Sequence, residues 1–230
     1  PPPLSPAVYD PATGAIFLFD DPNAIGERNA TCSIHIWRSD DLGDTWALVE
    51  ETARLGARAL GSGLANGVVL PSGRIVVAHR NGCNAHKADG AHARWSDDHG
   101  ATWVAGEPVP PAPPAIPAAN ECQIAPLRNG SLLLMARAQS TTLDAETTPD
   151  GPSDANRVSA VSDDGGATWS APRVERELTG LATCEGSIIS HGKGSVLLFS
   201  HPEGAGGSRT NLTIRASRDH GDSCPRGAAP

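Results

Sequence analysis

No apolar run in this 230-residue chain is long enough to cross a bilayer. The longest, Ser131 to Ala136 and Ser195 to Phe199, are of strand length, against the roughly 20 residues a membrane helix needs. Basic clusters are missing too: the net charge of −8 comes from scattered acids, and no stripe of Lys and Arg offers a footprint for nucleic acid. The five cysteines, Cys32, Cys83, Cys122, Cys184 and Cys224, contain no C-x-x-C pair, which argues against a metal centre or a dense disulfide framework. Their odd number leaves at least one thiol unpaired or paired outside the chain. No H-E-x-x-H or comparable spacing links His79, His86, His92, His191 and His201, so zinc is not expected and these residues read as loop positions. Pro1-Pro2-Pro3-Leu4 has neither the basic start nor the apolar stretch of a signal peptide, and no initiator Met, so the true N-terminus is expected to lie upstream.

Aromatic residues are also few, at 4%, whereas 25 Gly and 20 Pro supply many breaks. That balance suits short strands joined by tight turns better than long helices. With 39% hydrophobic residues the chain can bury a sizeable core, as one large domain or two small ones.

Internal repetition decides between these. The segments Ser39-Asp40-Asp41-Leu42-Gly43-Asp44-Thr45-Trp46, Ser96-Asp97-Asp98-His99-Gly100-Ala101-Thr102-Trp103 and Ser162-Asp163-Asp164-Gly165-Gly166-Ala167-Thr168-Trp169 share the pattern S-x-D-x-G-x-T-W. A degenerate fourth copy runs from Ser217 to Cys224, with Ser223 for Thr and Cys224 for Trp; starts at 39, 96, 162 and 217 are 57, 66 and 55 residues apart. Before each box the same order recurs: apolar strand, Gly turn, apolar strand, alternating strand. Pro6 to Tyr9, Ala15 to Phe19 and Cys32 to Arg38 precede the first box, and Gly67 to Leu70, Arg74 to Ala78 and Ala91 to Trp95 the second. Cys122 to Leu127, Ser131 to Ala136 and Arg157 to Val161 precede the third, and Gly186 to Ile189, Ser195 to Ser200 and Asn211 to Ala216 the fourth. Units of this size cannot bury both faces alone, and four in a row predict the blades of a β-propeller, at about 4–50, 60–107, 120–175 and 184–224, in one domain over 1–230. Each box reads as a hairpin turn in which the Asp accepts backbone N–H bonds, the Gly takes φ > 0 and the Trp packs between sheets. The repeated aspartates are therefore structural. Glu107 to Pro117 and Thr141 to Asp154 read as surface connections.

Other segments resemble the exo-α-sialidase family with Asp boxes. Asn120-Glu121-Cys122-Gln123, followed by Asn129 to Arg137, is similar to the family's "NECQ … dGsl … nAR" stretch. Cys184-Glu185-Gly186-Ser187-Ile188-Ile189 is similar to "GCqGSii", and Leu198 to Pro202 with Arg209 to "LfsnP … R". Ser5 to Phe19 resembles the family's opening strand pair, and Gly61-Ser62-Gly63 its "GPG" turn, so the likeness spans nearly the whole chain.

The resemblance implies an all-β fold, a six-bladed β-propeller of sialidase type with about four blades in this chain. It implies retaining hydrolysis of terminal α-linked sialic acid from glycoproteins, gangliosides or oligosaccharides, with no cofactor. Glu121 matches the glutamate that activates the nucleophile, and Arg137 and Arg209 match two of three arginines that grip the substrate carboxylate. The residue types fit, because a guanidinium presents a planar fork to a carboxylate. In the family the nucleophile is a tyrosine, which avoids setting a carboxylate against the anionic sugar. Alone, a Glu at a strand start and an Arg at a strand end are usually surface charges or a structural ion pair; the surrounding motifs favour the site. Glu185 departs from the family's usual Gln. Tyr9, the one tyrosine, matches no nucleophile motif. The family's first arginine, its acid/base aspartate and its nucleophile are expected outside this chain, which by itself is expected to be inactive. A non-catalytic propeller that binds a glycan or protein partner is the alternative; another Asp-box glycosidase would explain the boxes but not Glu121, Arg137 and Arg209. Sequons at Asn29, Asn129 and Asn211 favour a lysosomal or secreted location over a cytoplasmic one.

Overall fold

Short β-prone segments separated by turn formers can satisfy their backbone groups only by pairing with one another. The computed structural model describes residues 6–20, 33–53, 60–61, 66–81, 91–110, 118–139, 157–178, 184–204 and 208–223, and sixteen strands lie among them. The first sheet runs β1 (Ala7–Tyr9), β2 (Ile16–Asp20), β3 (Ser33–Ser39), β4 (Ala47–Ala53). In the second, β5 (Leu60–Gly61) and β6 (Gly67–Val69) both pair with β7 (Ile75–Asn81), followed by β8 (Ala91–Ser96) and β9 (Val104–Ala105). The third is β10 (Ala118–Pro126), β11 (Leu132–Gln139), β12 (Arg157–Ser162), β13 (Arg173–Val174), and the fourth β14 (Ser187–His191), β15 (Val196–Pro202), β16 (Leu212–Ser217). Every pairing is antiparallel. The fold is all-β, in consecutive meanders of the kind the repeats predict. Cys32, Cys83, Cys224, His86, Asn29, Ser62-Gly63 and the Thr141 to Asp154 insertion lie outside the described residues.

Each box closes the turn after the third strand of its sheet. In the first, the Asp41 carboxylate accepts from Ser39 Oγ (2.7 Å), Thr45 N (2.8 Å) and Thr45 Oγ1 (2.5 Å), while Ser39 Oγ accepts from Gly43 N at 2.8 Å. Asp98, Asp164 and Asp219 repeat this pattern, so the degenerate fourth box keeps its turn with Ser223 in the Thr position. Hydrogen bonds led by the Thr or Ser hydroxyl hold the Asp41, Asp98 and Asp219 pKa values down at about 2. Carboxylates tied this way are turn locks rather than acid/base groups.

The cores lie between neighbouring sheets, and strand periodicity explains why. Successive side chains of a strand point to opposite faces, so Ile75 and Val77 of β7 pack on Phe17 and Phe19 of the first sheet while Val76 and Ala78 join Leu132 and Leu134 of the third. Leu133 and Met135 turn the other way, onto Ile188, Leu197 and Phe199 of the fourth. A central strand covered on both faces reads as an unbroken apolar run, hence Ser131 to Ala136. Arginines add a second link at each junction by donating to a carbonyl in the next sheet's box: Arg38 to His99 O (3.4 Å), Arg74 to Asp164 O (3.0 Å) and Arg173 to Gly221 O (2.8 Å).

Two expectations need correction. Trp103 packs edge-on against Phe17 and Phe19 and Trp169 is 7% exposed, as expected, but Trp46 is 39% exposed. No described sheet lies on its side of the first blade, and its Nε1 donates to Gly43 O within its own box at 3.0 Å. The histidines are not loop residues: His79, His92 and His201 are buried in β7, β8 and β15, and His191 ends β14. Burial, with His92 and Arg94 nearby, holds the His79 pKa well below its ordinary value, so neutral imidazole behaves here as a core ring, edge-on to Phe19 at 5.5 Å.

Candidate functional site

The site is built on an irregularity in β10. The strand begins at Ala118, four residues before the expected Cys122, so Glu121 stands inside it. The register runs Ala119 to Ala138 and then Cys122 to Ala136, leaving Asn120 and Glu121 together opposite Arg137. That is a β-bulge, a device that re-aims a side chain without ending the sheet. Cys122 returns to the apolar face towards the second sheet and donates Sγ to His79 O at 3.3 Å, while Glu121 meets Arg137, with Oε2 to Nη1 at 3.3 Å. Their side chains are 22% and 17% exposed, partly covered yet open to a ligand.

Arg157 is paired with Arg137 across β11 and β12. It is 1% exposed, and its guanidinium lies 5.7 Å over the Phe199 ring of the fourth sheet. Burial pulls its pKa down to about 10; Cys184 opposes that, Arg137 adds to it, and Glu121 and Glu185 oppose it again. Arg157 therefore stays a cation at neutral pH, and two glutamates from different sheets lie within its field.

The fourth sheet is stitched to the third through the two resembling motifs. Gln123 Oε1 accepts from Ser187 Oγ at 2.9 Å and from Ile188 N at 3.1 Å. Asn66 does the same one junction earlier, exchanging two 2.8 Å bonds with the backbone of Ile124. These bonds fix the lateral spacing of the innermost strands, so Glu121 and Glu185 reach the same end of adjacent sheets. Beyond them a buried polar column continues. Phe199 stacks on His201 at 4.9 Å, His201 Nε2 lies 3.1 Å from Glu203 Oε1 without hydrogen-bond alignment, and Arg215 Nε donates to that oxygen at 2.5 Å.

Of the three residues nominated from sequence, Glu121 and Arg137 are brought into contact. Arg209 belongs to the adjacent sheet, exposed in the return from β15 to β16. Sequence reasoning missed Arg157, Glu203 and Arg215. Arg157 and Arg215 fall in strands that the sequence marks, but without the sheet order nothing says which faces of those strands are covered. Among the described residues no group of three His, Cys, Asp or Glu side chains is arranged to hold a metal ion.

Burial suppresses protonation of His201, lowering its pKa to about 4; Arg157 adds to this, Glu203 opposes it and Arg215 adds again. The unfolded chain takes up that proton first, near pH 6.5. The stabilising contribution is thus complete above pH 6.5 and lost as pH falls towards 4. Between pH 7 and 5 the loss in urea-unfolding free energy is expected to be about 2 kcal/mol smaller in His201→Gln than in wild type. Equal losses in the two proteins would show that His201 does not titrate in this way.

The BNR repeat-like domain family has a sequence model that matches residues 4–226. The chain belongs to that family. Solved structures place this BNR-repeat domain in the sialidase-type β-propeller fold. The intramolecular trans-sialidase from Ruminococcus gnavus, in complex with oseltamivir carboxylate, superposes with a TM-score of 0.61 at 22% identity, covering 87% of this chain and 42% of its own. NanB sialidase from Streptococcus pneumoniae gives 0.59 at 21% identity over 85% of this chain and 28% of its own. The GH43_1 enzyme from Xanthomonas citri, complexed with xylotriose, gives 0.55 at 12% identity over 97% and 72%. The BNR-repeat domain spans less than half the length of the two sialidases. Its fold is thus one shared by several glycosidases, and the fold alone does not fix a function.

Proposed function

We propose that this chain is part of an exo-α-sialidase that releases terminal α-linked sialic acid from glycoconjugates with retention. The observation that carries this reading is the Glu121–Arg137 contact at 3.3 Å across a bulge that serves no apolar packing. In this reading Arg137 turns part of its fork to the sugar carboxylate and Arg209 supplies a second one from the fourth sheet. Glu121 takes the proton of a tyrosine nucleophile, a base being needed because a neutral phenol attacks poorly. The fourth box lends no weight to a purely binding propeller, because its turn is intact despite Cys224.

The test is substrate choice by the full-length gene product. Release of fluorophore from an α-linked sialoside, with no comparable release from a β-xyloside, is expected. Hydrolysis of the xyloside alone would replace this reading with another glycosidase activity on the same fold.

A further inference from the structure

Why the fourth sheet buries a carboxylate where β15 gives way to the return towards β16 is not explained by packing. The Glu203 side chain is 6% exposed, between His201 at 0% and Arg215 at 4%. A charge so placed is tolerated only when its partners are fixed. Here the same residue also closes the neck of the Arg209 loop through its backbone, since Glu203 N donates to Thr210 O at 3.1 Å and Asn211 O at 3.0 Å. The other side of the neck is equally tight. A Cβ on Gly204 would overlap Ser208 and Thr210, whose hydroxyl oxygens are 2.9 Å apart. Ser208 and Thr210 flank Arg209, so the backbone that carries the exposed guanidinium is held from both sides.

We propose that Glu203, clamped by buried Arg215 beside His201, is a positioning residue that fixes Arg209 to receive the carboxylate of an anionic sugar. The inference rests on the sialidase reading for its ligand, but the neck itself is a property of this chain. The clamp also connects across the junction: Phe199 stacks on His201 and lies under the Arg157 guanidinium, and Arg157 is the cross-strand neighbour of Arg137. Two guanidiniums that would share one carboxylate, Arg137 and Arg209, are thereby set on one buried framework, so little of their orientation has to be fixed on binding.

Binding of N-acetylneuraminic acid and of its uncharged methyl ester to the full-length gene product, followed by NMR titration, separates positioning from stability. Wild type is expected to prefer the acid by about tenfold, the size of one good charged contact. Glu203→Gln should lose most of that preference while ester affinity stays the same. In a double-mutant cycle it should lose nothing further when Arg209→Ala is already present. Gly204→Ala, which opens the neck and keeps the carboxylate, should lose the same preference, and it serves if Glu203→Gln folds poorly. Additive losses, or an unchanged acid-to-ester ratio in both variants, would overturn the proposal. A wild-type chain with no preference for the acid would instead remove the sialidase reading. Glu203 would then be judged on trypsin cleavage after Arg209, expected to be about tenfold faster in Glu203→Gln; unchanged cleavage overturns the positioning role.

Discussion

Replacing Glu121 with glutamine is expected to lower sialoside turnover by the full-length gene product by about 10³-fold, the middle of the range for loss of a general base. Glutamine keeps the shape and one acceptor oxygen, so the 3.3 Å contact can survive as a hydrogen bond from the charged Arg137 guanidinium to a neutral amide oxygen. What is removed is the ability to take a proton. The effect should therefore fall on kcat, with KM changed by only a few-fold, which is the pattern of an interaction made in the transition state rather than in the bound complex. Stability should change little, because Arg157 retains Glu185 and the side chains of the bulge are partly open to water. Arg137→Ala makes the useful contrast: it should raise KM as well, because the carboxylate grip is lost in the ground state too. Turnover by Glu121→Gln within tenfold of wild type would show that the base lies elsewhere.

How much of this could be read before the structure follows from what periodicity encodes. Box spacing, glycine turns and alternating strands carried the meanders, because each depends on residues close in sequence. Which face of a strand meets which neighbouring sheet depends on stacking order, and that is not local. Arg157 illustrates the gap: nothing local at the start of the strand expected over Arg157 to Val161 marks it as buried, yet it is 1% exposed because the fourth sheet closes over it. His201, expected in a loop, is buried in β15. The bulge at Asn120 and Glu121 has no sequence signal of its own; it comes from a mismatch of one residue between β10 and β11, visible only once both are paired. The candidate site residues were found through motif likeness, whereas the buried side chains around them became visible only in three dimensions.

Gly100→Ala should cost about 3 kcal/mol of unfolding free energy, although it adds one methyl group and touches no candidate site residue. Gly100 has φ +83°, and Gly14, in the first turn, has φ +78°, so an L side chain meets similar backbone strain at both. They differ in surroundings. A Cβ at Gly14 meets nothing within 4 Å, while at Gly100 it would overlap the Phe17 ring of the preceding sheet. That ring is fully buried and cannot step aside: Trp103 packs edge-on at 5.5 Å and the Arg38 guanidinium lies over it at 5.5 Å. Gly14→Ala is accordingly expected to cost only about 1 kcal/mol, the backbone part by itself. The difference, about 2 kcal/mol, is the overpacking of a box against its neighbouring sheet. Phe17→Leu tests the cause, since a smaller side chain makes room: it should be destabilising in the wild-type background and nearly neutral in Gly100→Ala. Equal costs for the two glycine substitutions, measured by urea unfolding, would mean that the box turn is held by its own hydrogen bonds and does not dock on Phe17. The expected inequality instead gives the boxes their physical role, in which the glycine that lets each turn form also lets the next sheet approach the last.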